Sequence, residues 1–497
     1  MAPTIAQLHK HLQGTLPGFD DILYGRQDNN ALRATQIYDT PQGFWGARDG
    51  RVPEGHSERL VKAIHTTAMW GETQLDLVTM NEPKGEMWNA FVRAIVDLAC
   101  AGHSPTVRIM LGRQVKGGNL VIDVMLGRIA DALRGKPGKP LINMAQFRWE
   151  TKPGVEPFTA SWNHAKIIAA DGRVLLTGGH NLWSDHYLGV NDPIFDISAA
   201  YFGPIARGGH MFANGLWAYM NKNSDHSTFT YQSRLTRDLN VERDKPADMF
   251  TKFIDVKPGS SPALWVSNPG LDMFATNRSS GLSAFEKALD DSTACRLSLQ
   301  DLGGISISGN KFEIREFPKA LPFKVIWHSG HDFNLEIVDA LARFLKKGGR
   351  LELVLTSPES GGWNYSNHVP ISAVFNVISK RLNALFQMSK LDTVRLISSG
   401  MYLHNIAFRN WRKWPSGSPR HNHAKFWLFD DELFYIGSEN LYPSTMDLDG
   451  RQRGGSLQEF GVFLQDKTAA KAVIDTYYQP MFNAGWRTDI DIATLDW

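Results

Sequence analysis

The sequence predicts an α/β fold made of two similar α-β-α sandwich halves related by a pseudo-twofold axis. Three observations carry that expectation. Strand-like and helix-like segments alternate along the chain, and the order of the first half is replayed in the second. Two His-x-Lys positions lie 423 − 164 = 259 residues apart, about half of the 497 residues. Alternating strands and helices cover a sheet with helices and imply substantial parallel pairing. Internal repetition marks a duplicated architecture.

Taken in order, LDLVTM (75–80) reads as a strand and EMWNAFVRAIVDLACAG (86–102) as an amphipathic helix, with TVRIMLGR (106–113) a second strand. A long polar and helical stretch follows. Then SWNHAKIIAADGRVLLTGGHNLW (161–183) reads as two strands around the turn Asp171-Gly172. In the second half CRLSLQDL (295–302) is a strand, FNLEIVDALARFLKKGG (333–349) a helix closed by glycine, and RLELVLTS (350–357) a strand. HNHAKFWLFDDELFYIGSENLYP (421–443) is again a strand pair, turning at Asp430-Asp431. The charged, then Pro/Gly/Ser-rich segment 241–265 reads as the connector. It divides the chain into an N-terminal half, residues 1–250, and a C-terminal half, residues 251–497. Residues 1–70 carry no usable motif.

An apolar content of 42% with 21% charged residues describes a globular chain with a sizeable core. The 53 Lys and Arg nearly balance 51 Asp and Glu, leaving +2. That excludes the long basic track on which bulk nucleic-acid affinity rests, so no stable nucleic-acid partner is expected, although a local basic site is compatible. Cys100 and Cys295 are too few for a disulfide framework and leave one bridge open; Cys100 reads as a small core residue. No apolar run approaches the roughly 18 residues that span a bilayer, and the N-terminus lacks the features of a secretory signal. A cytoplasmic protein, one exported by a non-Sec route, and a mature form with its signal removed all fit.

The two halves share one pattern: His-x-Lys, four residues, Asp, six residues, then Gly-Gly/Ser-x-Asn. The first copy is His164, Lys166, Asp171, Gly178, Gly179 and Asn181; the second is His423, Lys425, Asp430, Gly437, Ser438 and Asn440. Each His and Lys is expected on a strand, where positions i and i+2 project together from one face. The turn and return strand then bring Gly-x-x-Asn alongside, where small residues admit a close-approaching oxygen. One His-x-Lys on a strand is ordinary surface chemistry; two copies with the same spacing and context are not. Asp171 and Asp430 fall at β-turns, where Asp is favoured for structural reasons. A phosphodiester is anionic and resists attack, so a catalyst must neutralise its oxygens and protonate the leaving alkoxide. Lys166 and Lys425 supply two charges and Asn181 and Asn440 two amide donors, a cradle that needs no metal. Histidine serves as nucleophile or proton shuttle. No His-Glu-x-x-His or Cys-x-x-Cys occurs, so neither a metal nor another cofactor is expected.

The duplicated motif resembles the signature of the phospholipase D superfamily. From about residue 70 onward the chain is most similar to the actinomycete-type microbial phospholipases D, through the first motif, DPIFDISAAYFGPIARGG, VRIMLG, RLSLQDL, IGSENLYP and QEFGVFL. The resemblance implies a phospholipase D-like fold with the active site at the interface of the halves. It implies hydrolysis of glycerophospholipids to phosphatidic acid and headgroup alcohol, with transfer to other alcohols, by a monomer acting on phospholipid at a membrane or micelle surface. His164 would be the nucleophile that forms a phosphohistidine, His423 the acid and then the base. Asp196 and Glu459 sit where the family places the carboxylate partners of the imidazoles; otherwise they are ordinary surface acids. Alternatives are a phosphodiesterase or nuclease on the same scaffold, and a catalytically dead phospholipid-binding protein.

Three further readings complete the expectation. His180 and His186 read as rim residues rather than ligands. RNWRKWPSGSPRH (409–421) is either a solvated loop or a lip whose Trp side chains meet acyl chains. MDLDGRQRGGSL (446–457) reads as an insertion at the pocket mouth.

Overall fold

The computed structural model describes residues 1–46, 51–112, 120–150, 160–222, 229–235, 239–243, 247–270, 279–305, 313–316, 324–328, 331–356, 371–406, 414–418, 420–441 and 457–490. The first part of the chain runs α1 (Ile5–Thr15), β1 (Tyr24–Asn30), β2 (Ile37–Thr40), α2 (Glu58–Met69), β3 (Gln74–Thr79), α3 (Gly85–Cys100) and β4 (Thr106–Gly112). It continues with α4 (Leu120–Leu133), β5 (Leu141–Glu150), β6 (Ala160–Trp162), β7 (Ile167–Ala170), β8 (Val174–Gly178), α5 (Ser184–Tyr187), β9 (Asp196–Phe202) and α6 (Ala206–Lys222). Then come β10 (Phe229–Leu235), β11 (Leu239–Arg243), β12 (Ser261–Asn268), α7 (Ser280–Asp291) and β13 (Ala294–Leu299). Four short strands follow: β14 (Gly303–Ile305), β15 (Glu313–Glu316), β16 (Lys324–His328) and β17 (His331–Asn334). The remainder is α8 (Leu335–Lys346), β18 (Arg350–Leu355), α9 (Ile371–Phe386), α10 (Lys390–Gly400), β19 (Met401–Asn405), β20 (Lys425–Phe429), β21 (Leu433–Gly437), β22 (Glu459–Gln465), α11 (Lys467–Val473), α12 (Gln479–Ala484) and β23 (Trp486–Thr488).

Two large sheets result. The first has the order β11-β10-β5-β4-β3-β7-β8-β9-β2, with β6 paired to β5, and the second β1-β12-β22-β21-β20-β13-β18-β19-β23. In each, a parallel trio (β3-β4-β5; β13-β18-β19) joins an antiparallel trio (β7-β8-β9; β20-β21-β22), so the two sheets repeat one arrangement.

Strand alternation sorts the core into layers. Ile167, Ala169 and Leu175 share a buried layer with Phe426, Leu428, Phe434 and Ile436 and with Phe212, Leu216 and Trp217 of α6. Ile168 and Leu176 face the other way, onto residues of α2, α3 and α4. Trp427, Phe429 and Tyr435 likewise face away, toward α1, α7, α8 and α9. The helices supply matching stripes. α8 starts where the Asn334 side chain accepts from the Glu336 and Ile337 N–H groups, and ends at Gly348, whose φ of +87° suits glycine.

Four features depart from the sequence reading. Helix α4 is followed by the ten-residue strand β5, so the stretch after residue 113 is not simply polar and helical. β1 crosses the expected boundary at residue 250 and pairs with β12, covering an otherwise open edge of the second sheet. β14–β17 form a separate four-stranded sheet inserted between β13 and α8, where the first half passes directly from β3 to α3. Cys100 is exposed while Cys295 is buried, and both are free. Among the described residues no helix is long and apolar enough to cross a membrane.

Candidate active site

The two motifs meet where the sheets face each other. His164 and His423 do not lie on β7 and β20, as the spacing suggested, but in short extended segments just before them. Each segment reaches across to the other half. The His164 N–H donates to the Gln458 carbonyl at 2.9 Å, and the His423 N–H to the Phe195 carbonyl at 2.7 Å. Gln458 precedes Glu459 and Phe195 precedes Asp196, so each backbone bond sets an imidazole beside a carboxylate of the opposite half. His164 Nδ1 lies 2.8 and 2.9 Å from the Glu459 oxygens, and His423 Nδ1 lies 2.8 Å from Asp196 Oδ2. Asp196 and Glu459 are therefore buried partners rather than surface acids, and neither half completes its own pair.

An asparagine steers each segment. Asn163 Nδ2 donates to the Thr79 carbonyl and its Oδ1 accepts from the Ala165 N–H. Asn422 Nδ2 reaches the Leu299 carbonyl and its Oδ1 accepts from the Ala424 N–H. Sequence reasoning passed over both, although the tetrapeptide Asn-His-Ala-Lys occurs identically in the two copies.

Lys166 and Lys425 are buried, and each Nζ donates back to the carbonyl of its own histidine, at 2.6 and 2.5 Å. Burial pulls Lys166 down to about 7, opposed by Glu459 and aided by Lys425; burial likewise pulls Lys425 down to about 8. Burial, then the two ammonium groups, hold His164 and His423 well below the ordinary imidazole value. Burial raises Glu459 to about 7 against the pull of Lys166 and Ser438. Asn181 and Asn440 are buried at the same end of their strands.

Asp171 and Asp430 each sit at the turn of their hairpin. Asp171 has φ +50° and accepts from the Glu72, Thr73 and Gln74 N–H groups and the Thr73 hydroxyl. Asp430 has φ +47° and accepts from the Thr293 and Ala294 N–H groups and the Thr293 hydroxyl. Each ties its hairpin turn to the start of the adjoining antiparallel strand, β3 or β13. Gly178 and Gly437 end β8 and β21. A Cβ on Gly179 would collide with an Asp196 carboxylate oxygen, so a side chain there would displace the partner of His423. At the equivalent place Ser438 instead donates its hydroxyl to Glu459 at 2.5 Å.

Other expectations shift. His180 is no rim residue: it is buried, with Nε2 2.9 Å from Thr40 Oγ1 and Nδ1 2.8 Å from Ser198 Oγ, and burial lowers it to about 4. His186 is half-buried beside Trp183. Of the 409–421 stretch, Trp414 is buried against Phe44 and Phe195, so it does not offer its ring to acyl chains; 409–413 lie outside the described residues. Residues 446–456 of the expected insertion also lie outside them. The N-terminal segment, silent in the sequence, supplies β2 beside β9 and Phe44 against Phe195. Tyr187, also missed, donates its hydroxyl to Asp196 at 3.0 Å. Among the described residues no group of three His, Cys, Asp or Glu could hold a metal ion.

No protein-family model matches the chain. A phospholipase D of Streptomyces antibioticus is 25% identical over 503 positions, covering 94% of this chain and 85% of that protein. Over nearly its whole length the chain is similar to the phospholipase D superfamily. A solved phosphatidylserine synthase of Haemophilus influenzae shares the fold at a TM-score of 0.51 and 11% identity, over 99% of this chain and 93% of that one. That similarity points to an enzyme of the phosphodiester-active type.

Proposed function

We propose that the protein is a phospholipase D, hydrolysing glycerophospholipids to phosphatidic acid and headgroup alcohol and passing the phosphatidyl group to other alcohols. The observation that carries the reading is the pair of crossed histidine–carboxylate couples beside two buried lysines. An ionised Glu459 accepts the Nδ1 proton of His164 and leaves Nε2 with its lone pair. That pair attacks phosphorus, the N–P bond forming as the P–O bond to the headgroup breaks. The departing oxygen takes the Nε2 proton of His423, whose Nδ1–H stays on Asp196. The negative diester favours the cationic imidazole that this step needs. A water or alcohol then gives its proton to His423 and attacks phosphorus, and the N–P electrons return to His164. Lys166, Lys425, Asn181 and Asn440 stabilise the phosphoryl oxygens throughout.

A formal charge of +2 and similarity along 94% of the chain to a protein named phospholipase D support lipid over nucleic acid. Both motif copies lie in one chain, which supports a monomer working at a membrane or micelle surface. Mixed phospholipids incubated with the protein in EDTA should yield phosphatidic acid by mass spectrometry, and added propanol should divert it to phosphatidylpropanol. Nucleotide release from DNA or RNA without phosphatidic acid would overturn the reading.

A further inference from the structure

The two crossed couples look equivalent by pseudo-symmetry, yet each carboxylate is held by a different hydroxyl. Asp196 Oδ2 receives the Tyr187 phenol at 3.0 Å, and its Oδ1 the Ile197 N–H at 2.8 Å. The same phenol oxygen lies 3.5 Å from His423 Nδ1 and accepts the Asn181 N–H at 3.3 Å, so it touches acid, imidazole and motif backbone together. Tyr187 is buried on α5, its ring edge-on to His180 at 4.8 Å. His180 is itself fixed between Thr40 and Ser198.

Glu459 has a serine instead. Ser438 Oγ donates to Glu459 Oε2 at 2.5 Å, its other nearby acceptor, the Phe460 carbonyl, being farther at 3.2 Å; it accepts the Phe460 N–H at 3.1 Å. The devices cannot be exchanged. A side chain at Gly179, the counterpart of Ser438, would run into Asp196. Six residues beyond Asn440, the offset of Tyr187 from Asn181, the sequence has Met446, which has no hydroxyl.

We propose that Tyr187 and Ser438 are positioning residues that separate the tasks of the two histidines, Tyr187 governing the leaving-group proton through His423 and Ser438 governing the attack through His164. A hydroxyl donor fixes which carboxylate oxygen faces the imidazole and so aims the opposite ring nitrogen. Loss of the phenol disorients the ring that protonates the alkoxide. Loss of the serine hydroxyl disorients the ring that attacks, whatever the leaving group. The inference rests on the proposed phospholipase D chemistry.

The test compares kcat/KM on phosphatidylcholine and phosphatidyl-p-nitrophenol of the same short acyl chains. This parameter reports steps up to formation of the phosphoenzyme, and p-nitrophenolate leaves without a proton. Tyr187→Phe should lower the choline substrate by about tenfold or more and leave the nitrophenyl substrate within about threefold. Ser438→Ala should lower both alike, by about tenfold, and Ser438→Thr should restore both. Tyr187→Phe lowering both in proportion, or neither, would overturn the assignment, as would a Ser438→Ala effect confined to one substrate. Circular dichroism and melting of each variant identify a folding defect, and Ser438→Gly, the residue of the first copy, repeats the serine arm with a different replacement. Wild-type protein that cleaves neither diester would refute the underlying reading of the site, a result distinct from active protein with the wrong substrate pattern.

Discussion

Lys166 and Lys425 carry their charge in a place that resists it, and that sets the pH behaviour of the site. A lysine lowered by burial is cationic below its pKa and loses its proton as pH rises through it, so the phosphate cradle empties of charge between about 7 and 8. Glu459, raised to about 7, gains a proton as pH falls through that value and then no longer accepts from His164. The pH profile of kcat/KM should therefore be a narrow bell whose alkaline limb falls between about 7 and 8; a plateau reaching pH 10 would contradict it. Lys166→Ala and Lys425→Ala should each cut turnover by about two to three powers of ten, measured as headgroup release, the scale for one preorganised charge stabiliser. The histidines, lysines and asparagines were legible because two copies with one spacing make chance agreement improbable. Asp196 and Glu459 were read only through the family resemblance; Tyr187 and the crossing of each carboxylate to the opposite half were not legible, since these contacts join residues whose order in the chain says nothing about which half they serve.

At the scale of elements, each half carries a charged pair at the same register of its parallel trio, with the signs exchanged. Asp76 on β3 pairs with Arg108 on β4, and Arg296 on β13 with Glu352 on β18. The first is the more enclosed: Asp76 and Arg108 are wholly buried, and His210 on α6 adds its Nδ1 at 2.5 Å. Burial alone would raise the Asp76 carboxyl; Arg108 and His210 overcome it and hold it at about 2. Arg108 also donates to the Asp248 carbonyl, and Asn214 to that of Phe250, so the network fastens the connector to the first half. Asp76→Asn leaves Arg108 buried without its counter-charge and should cost about 3–5 kcal/mol in urea unfolding. Because Asp76 is depressed below its unfolded value, its stabilisation is fully present above the ordinary carboxylate range and is lost as pH falls through about 2. The main strands and helices were legible because their alternation and apolar stripes are local. β5 was not, its run LINMAQFRWE lacking turn signals, and neither was the placement of β1, which depends on an edge exposed more than two hundred residues later.

For the molecule as a whole, the halves are symmetric in architecture and interdependent in chemistry. Family resemblance placed the site at their interface, and the structure gives the reason: each histidine takes its carboxylate, and the backbone bond that aligns it, from the opposite half. Double-mutant cycles on headgroup release should show strong coupling of His164 with Glu459 and of His423 with Asp196, and weaker coupling within each half. The four-stranded insertion β14–β17 breaks the symmetry at the end of β13, the strand whose Leu299 pairs with Lys425. The most direct test of the account is to find where phosphorus is bound. Wild-type and His423→Ala protein would be mixed with phosphatidyl-p-nitrophenol in EDTA, quenched at high pH and mapped by peptide mass spectrometry. The account predicts a phosphatidyl adduct on the peptide bearing His164, transient in the wild type and accumulating in the variant. An adduct on His423 in the wild type, or sustained p-nitrophenol release with no adduct on either histidine, would contradict it.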